Sequence, residues 1–163
     1  MKVYIYLKNI AKRILPKKII KFLSWLRRGG YGCIFWLFPI KNNKIVICNY
    51  YGKGFGDNGK YIANELIKEK EKYEIVWLLD KKLKNISKFP EMIRTVNYGS
   101  MRALYELATA KVWIDNCRKF FYPPKRKGQY YIQTWHGGIA LKKIEKDAEQ
   151  NLDPQYVKMA VQD

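Results

Sequence analysis

Apolar positions change period along this chain, and each change marks a different kind of element. Within residues 3–26, Ile10, Ile14, Leu15, Ile19, Ile20, Phe22, Leu23 and Leu26 recur at roughly helical spacing. Lys8, Lys12, Arg13, Lys17, Lys18 and Lys21 fill most of the gaps between them. Pro16 lacks an N–H and must kink or divide such a helix. Arg27-Arg28-Gly29-Gly30 ends the pattern, and the apolar run Tyr31–Ile40 follows. From residue 44 short β-rich runs alternate with helical stripes. Lys44–Tyr51, Tyr73–Leu79, Met92–Tyr98, Val112–Asp115 and Gln129–Trp135 read as strands. Lys60–Lys70, Met101–Ala110 and Ile139–Gln150 read as helices, with Ser100 as an N-cap and Asp153-Pro154 opening one more. Strands alternating with helices predict an α/β fold: a Rossmann-like parallel sheet with helices on both faces, behind a basic amphipathic helical leader. The expected domains are a membrane-associating leader over residues 1–40 and an incomplete Rossmann-like domain over 41–163.

Charge sharpens that division. The 163 residues carry a formal charge of +18. Residues 1–56 hold 12 Lys and Arg and no acid, whereas residues 57–163 hold 20 against all 14 acids, a net of +6. Ten apolar residues at 31–40 cannot cross a bilayer, which takes about 20. An interfacial anchor fits the leader better, with Lys17, Lys18, Lys21, Arg27 and Arg28 over anionic lipid and Trp25, Phe35, Trp36 and Phe38 at headgroup depth. The competing reading is a helix packed on the body with a solvated basic face. Nucleic acid is not expected, because the cations alternate with bulky aliphatics rather than stacking aromatics. A hydrophobic fraction of 48% and an aromatic fraction of 15% exclude a disordered chain. Cys33, Cys48 and Cys117 form no metal spacing and cannot all pair, so a disulfide scaffold and a zinc module are excluded and a reducing compartment is expected. Cys48 and Cys117 fall near strand ends and read as packed thiols rather than nucleophiles.

Two segments carry candidate chemistry. The loop Gly52-x-Gly54-x-Gly56-Asp57-Asn58-Gly59 lies between a strand and a helix, where backbone N–H groups can hold a phosphate. It is neither a dinucleotide fingerprint nor a Walker loop. The alternative is a turn in which Asp57 or Asn58 caps the helix. The second segment is Gln133-Thr-Trp-His136-Gly137-Gly138. It places the only His of the chain directly after a strand, where α/β sheets bind ligands, and follows it with two glycines that allow close approach. An imidazole there can serve as a general base, or it can simply be satisfied by a strand-end carbonyl. Lys142 and Lys143 follow on the next helix, available either to phosphate or to solvent.

Over Gln133-Thr-Trp-His-Gly-Gly-Ile-Ala-Leu-Lys-Lys-Ile-Glu-Lys-Asp147 the chain resembles the CDP-glycerol glycerophosphotransferase family of teichoic acid polymerases and primases, whose signature is Gln-x-Trp-His-Gly-x-x-x-Lys-Lys-Ile-x-x-Asp. Gly54–Lys60, Ile75-Val-Trp77, Tyr98-Gly-Ser100 and Ala110–Asn116 extend the similarity through the body. The resemblance implies the N-terminal, acceptor-side half of a GT-B-type fold. It implies transfer of glycerol phosphate, or a related polyol phosphate, from CDP-glycerol to a lipid-linked acceptor with release of CMP. It assigns His136 as the general base with Lys142 and Lys143 as helpers, while the two loop readings offer Gly137, Gly138, Gly54, Asp57 and Asn58 to substrate or phosphate. No cofactor is expected beyond the donor substrate and no residue is assigned to a metal, with dependence on a divalent metal left open. Implied partners are the anionic membrane surface, CDP-glycerol and a lipid-linked glycan acceptor, with a second copy of the chain left open. The implied location is the cytoplasmic face of the cell membrane. Position 138 is Gly where many relatives have Thr, and the family's donor-binding domain has no counterpart before Asp163. The chain is therefore expected to continue past that residue or to work with a second polypeptide. The alternative is a non-catalytic membrane-binding remnant.

Overall fold

The computed structural model describes residues 16–69, 72–83, 88–119, 121–137 and 157. Helix α1 spans Lys17–Arg27, and a 3₁₀ segment covers Gly30–Leu37. Strand β1 (Lys41–Cys48) then leads to α2 (Asp57–Lys68), β2 (Glu74–Leu79), β3 (Ile93–Asn97), α3 (Met101–Thr109), β4 (Ala110–Asp115) and β5 (Tyr130–Gln133). The five strands form one sheet in the order β3-β2-β1-β4-β5, every pairing parallel. The helices expected over 139–150 and from 153 onward lie outside the described residues.

Period-2 alternation splits the strands between two cores. Ile45, Ile47, Ile75, Trp77, Leu79 and Ile114 face α2, packing with Ala63, Ile62, Leu66 and Ile67. Val46, Cys48, Val76, Leu78, Val96 and Trp113 face α3, packing with Ala103 and Leu107. Both faces of the central strands are thus covered, which is why Ile45–Cys48 of β1 and Ile75–Leu79 of β2 read as unbroken apolar runs. Gly59 brings α2 close to the sheet: a Cβ there would lie 3.0 Å from Ile47 Cγ2 and 3.1 Å from the Trp77 ring, tight enough that a side chain would have to shift. Ser100 caps α3 as expected, its hydroxyl accepting from the Ala103 N–H at 3.1 Å.

The segment after α1 is seated on α3. The Tyr122 N–H donates to the Arg28 carbonyl at 2.9 Å. Gly29 and Gly32 press against Leu104, Tyr122 and Pro123 so closely that a Cβ on either would fall within 3.0 Å of one of them. Phe35 and Phe38 both meet the Tyr105 ring edge-on, at centroid distances of 5.6 and 5.3 Å. Arg126 donates to the Phe38 carbonyl at 2.7 Å and to the Ala108 carbonyl at 3.3 Å, closing the junction. Trp25 lies over Gly30 and stacks with Phe22, leaving it half-buried.

A candidate active site at the switch point of the sheet

The strand order reverses between β1 and β4, and in open α/β sheets ligands bind beyond the carboxyl ends of the strands at such a reversal. The chain leaving β1 there is not regular. Tyr50 and Tyr51 have φ of 40° and 60°, Asp57 has 53°, and Trp135, just past β5, has 59°. These are the four left-handed non-glycine residues among the described residues, and all four belong to this one corner. Such backbone costs on the order of 1–3 kcal/mol per residue and persists where the surroundings impose it, most often at functional sites.

The hydrogen bonds show what imposes it. Thr134 continues the β5 ladder by donating its N–H to the Asp115 carbonyl at 2.8 Å. The left-handed Trp135 then turns the chain, so that His136 Nδ1 comes back to 2.8 Å from the Asn116 carbonyl. Asn58 Nδ2 donates to the Trp135 carbonyl at 3.1 Å and holds the same turn from α2. The Tyr50 ring stands edge-on to the imidazole, 5.4 Å between centroids. Because a carbonyl can only accept, the neutral His136 ring carries its proton on Nδ1 and keeps a lone pair on Nε2.

Asn116, 2% exposed, is the common partner. Its Nδ2 donates to Asn49 Oδ1 at 2.5 Å and to Asp57 Oδ2 at 2.6 Å, and its Oδ1 accepts from the Tyr50 N–H at 2.9 Å. The Asp57 carboxyl is held below its ordinary value, first by the Asn116 amide and next by the Asn58 N–H, which reaches Oδ1 at 2.8 Å. The neighbouring imidazole acts in the same direction. The Tyr50 phenol is pushed up, by loss of solvent first and then by the Asp57 carboxylate.

This geometry places the expected residues unevenly. His136, Asp57 and Asn58 converge on one corner, and Gly137 follows, exposed. Gly54 is buried in the loop with φ of 111°. The N-cap of α2 is Gly56, without a side-chain cap, while Asp57 sits one position inside and turns its carboxylate to Asn116. A carboxylate therefore already occupies this helix terminus. Gly138, Lys142 and Lys143 lie outside the described residues. Cys48 is buried, and burial, followed by the nearby Asp115, pushes its thiol up; burial raises the Cys117 thiol too. Neither is activated as a nucleophile. Among the described residues no group of three His, Cys, Asp or Glu could hold a metal ion. Of the residues expected at the membrane, Lys17, Lys18, Lys21, Arg27 and Trp36 are exposed, while Trp25, Arg28 and Phe35 are half-buried. Asn116 was missed as a site residue. Its sequence signals were its position at the carboxyl end of a strand and its place in the Ala110–Asn116 segment of the family resemblance.

Known proteins resemble the chain throughout this region. The teichoic acid poly(glycerol phosphate) polymerase of Bacillus spizizenii is 34% identical over 142 residues, covering 82% of this chain and 34% of that polymerase. The polymerase of the same description from Bacillus subtilis is 28% identical over 151 residues, covering 89% and 20%. A histidine variant of the wall teichoic acid polymerase TagF shares the fold with a TM-score of 0.58 at 27% identity, over 90% of this chain and 33% of that structure. The chain thus spans between about a fifth and about a third of the length of these relatives. The profile of CDP-Glycerol:Poly(glycerophosphate) glycerophosphotransferase matches residues 31–161, taking in the sheet, the switch point and the His136 segment, and the chain belongs to that family.

Proposed function

We propose that this chain supplies the acceptor-side half of a glycerol-phosphate transfer, with His136 as its general base. The acceptor is the terminal hydroxyl of a lipid-linked teichoic acid, and the donor is CDP-glycerol or a related CDP-polyol. The hydroxyl oxygen attacks the donor's β-phosphorus, its proton passes to His136 Nε2, the bond to the CMP oxygen breaks, and CMP leaves. The observation that carries the reading is the orientation of His136 at the switch point, with Nδ1 committed to a carbonyl and Nε2 retaining its lone pair. The family's donor chemistry supports it as well. Asp57 is set to stabilise the imidazolium that forms, rather than to bind phosphate, since a carboxylate repels an anion.

The test is CMP release from CDP-glycerol, measured on the chain alone and on the chain supplied with the remaining portion of a polymerase relative. Release is expected from the combination, falling about 10²–10⁴-fold with His136→Ala, the range a positioned base contributes. Undiminished turnover by that variant would remove His136 from the role.

A peripheral position on the cytoplasmic face of the cell membrane belongs to the same proposal. No helix among the described residues is long and apolar enough to cross a membrane. Yet Ile19, Phe22, Leu23, Ile34, Trp36 and Leu37 are exposed beside Lys17, Lys18 and Lys21, and Leu37 is 91% exposed. Apolar side chains ringed by cations suit an anionic lipid surface.

A further inference from the structure

We propose that Asn116 is the positioning residue that sets the tautomer of His136. The amide of Asn116 uses both of its N–H hydrogens and its oxygen, reaching three residues on two segments: Asn49 and Tyr50 past β1, and Asp57 at the start of α2. The backbone carbonyl of the same residue is the acceptor for His136 Nδ1. Holding the side chain on three residues restrains the chain at Asn116, and with it the direction of the carbonyl presented to the imidazole. Asn58 holds the other end of the turn through the Trp135 carbonyl, and the peptide before Asn116 is fixed by Thr134 on the Asp115 carbonyl. Among the described residues the Asn116 carbonyl is the acceptor that meets the imidazole, and Nδ1 is the nitrogen that meets it. Second-partner control of this kind decides which ring nitrogen remains basic.

Asn is the residue that fits. Two acceptors, Asn49 Oδ1 and Asp57 Oδ2, demand two donors, and the Tyr50 N–H demands one acceptor; an amide supplies this set at the required size. Aspartate has the same shape and no donor, and would set a second carboxylate against Asp57. An exchanged pair restores the match once the Asn49 amide turns over to donate its Nδ2 to residue 116. With Asn116→Asp and Asp57→Asn together, residue 57 donates to residue 116 and still accepts from the Asn58 N–H, while residue 116 still accepts from Tyr50.

The inference rests on the proposed base only for what the tautomer is used for, and its test does not depend on turnover. His136 is the single His of the chain, so ¹⁵N resonances of a histidine-labelled full chain report one ring without ambiguity. At a pH where the ring is neutral, the wild type is expected to show Nδ1 protonated and Nε2 pyridine-like. Asn116→Asp and the uncharged Asn116→Ala are expected to give a mixture of the two tautomers, and the exchanged pair to return the Nδ1–H form. An Nε2–H signal in the wild type overturns the inference, and this measurement needs no variant to fold. Retention of the pure Nδ1–H form in folded Asn116→Ala, checked by its amide spectrum, overturns it too, as does failure of a folded exchanged pair to restore that form. Loss of transfer with the tautomer intact would strike at the base assignment and leave this inference standing.

Discussion

Lys44 Nζ lies 2.7 Å from a carboxylate oxygen of Glu106, and both side chains are almost wholly buried, at 1% and 0% exposure. The pair sits on the α3 side of the sheet, where Lys44 also donates to Thr109 Oγ1 at 2.9 Å. The other Glu106 oxygen accepts from Arg94 at 2.8 Å and from Arg102 at 2.6 Å. Removing a buried partner leaves an uncompensated charge, at a cost of about 3–5 kcal/mol. Among the described residues, Glu106→Gln leaves Lys44 with only the Glu74 carboxylate, at 3.7 Å, whereas Lys44→Met leaves Glu106 two arginines at 2.8 and 2.6 Å. Urea midpoints of the two variants should both fall, that of Glu106→Gln further.

The same carboxyl makes stability depend on acid. Burial pushes the Glu106 pKa up, but hydrogen bonds and charge from Arg94 and Lys44 outweigh it and bring the value from 4.5 to about 2. A depressed carboxyl contributes stability that is fully present above its unfolded pKa and is lost as pH falls through its folded one. The window therefore runs from about 4.5 down to about 2, and the whole contribution is roughly 3 kcal/mol. Glu74, lowered by its Arg94 and Lys41 contacts against its own burial, adds in the same direction. Thermal midpoints should drop steeply over that range in the wild type and more gently in Glu106→Gln.

Two glycines separate backbone strain from collision. Gly52 and Gly99 have φ of 96° and 78°, but a Cβ at Gly52 would lie 2.6 Å from the Asp80 backbone nitrogen, while one at Gly99 would meet nothing within 4 Å. Gly99→Ala should cost about 1 kcal/mol, from left-handed backbone alone. Gly52→Ala should cost clearly more, since it also forces apart the Asp80 N–H and the Gly52 carbonyl, now hydrogen-bonded at 2.9 Å. Chemical denaturation of the pair checks the order; equal losses would mean that the loop yields freely.

On the lipid side, Trp36→Asp and Leu37→Asp alter exposed side chains and should leave the melting transition in place. Both should weaken binding to vesicles of anionic lipid, and added salt should weaken the wild type as well. Phe35→Ala, which empties a contact with Tyr105, should instead lower stability. Equal wild-type binding to neutral and anionic vesicles would discard the electrostatic part of the reading.

The parallel sheet and both of its helical layers were legible because buried parallel strands are apolar without interruption, as in Ile45–Cys48 and Ile75–Leu79. Strand limits were less legible. The sequence suggests that β1 ends at Tyr51, but it ends at Cys48, because Tyr50 and Tyr51 turn left-handed at the switch point. It begins earlier, at Lys41, through a pairing with Ala110 that lies across a register shift. Lys44 gave no sign of burial, since its partner is 62 residues away and local pattern cannot see it. Asn116 was hidden for the same reason. Its amide joins residues 59 and 67 positions distant, and a strand-end asparagine looks like any turn former until those contacts close.

Those separations also govern how the molecule comes together. Central strand β1 must wait for β4, with Ile47 beside Ile114, and no parallel neighbour can be joined by a short hairpin. Closing such long loops precedes the reward of pairing, so folding should be slow for a chain of this size. His136 meets Asn116 only after β5 has docked on β4. On a ribosome, the corner proposed to do the chemistry is among the last parts of the described sheet to form.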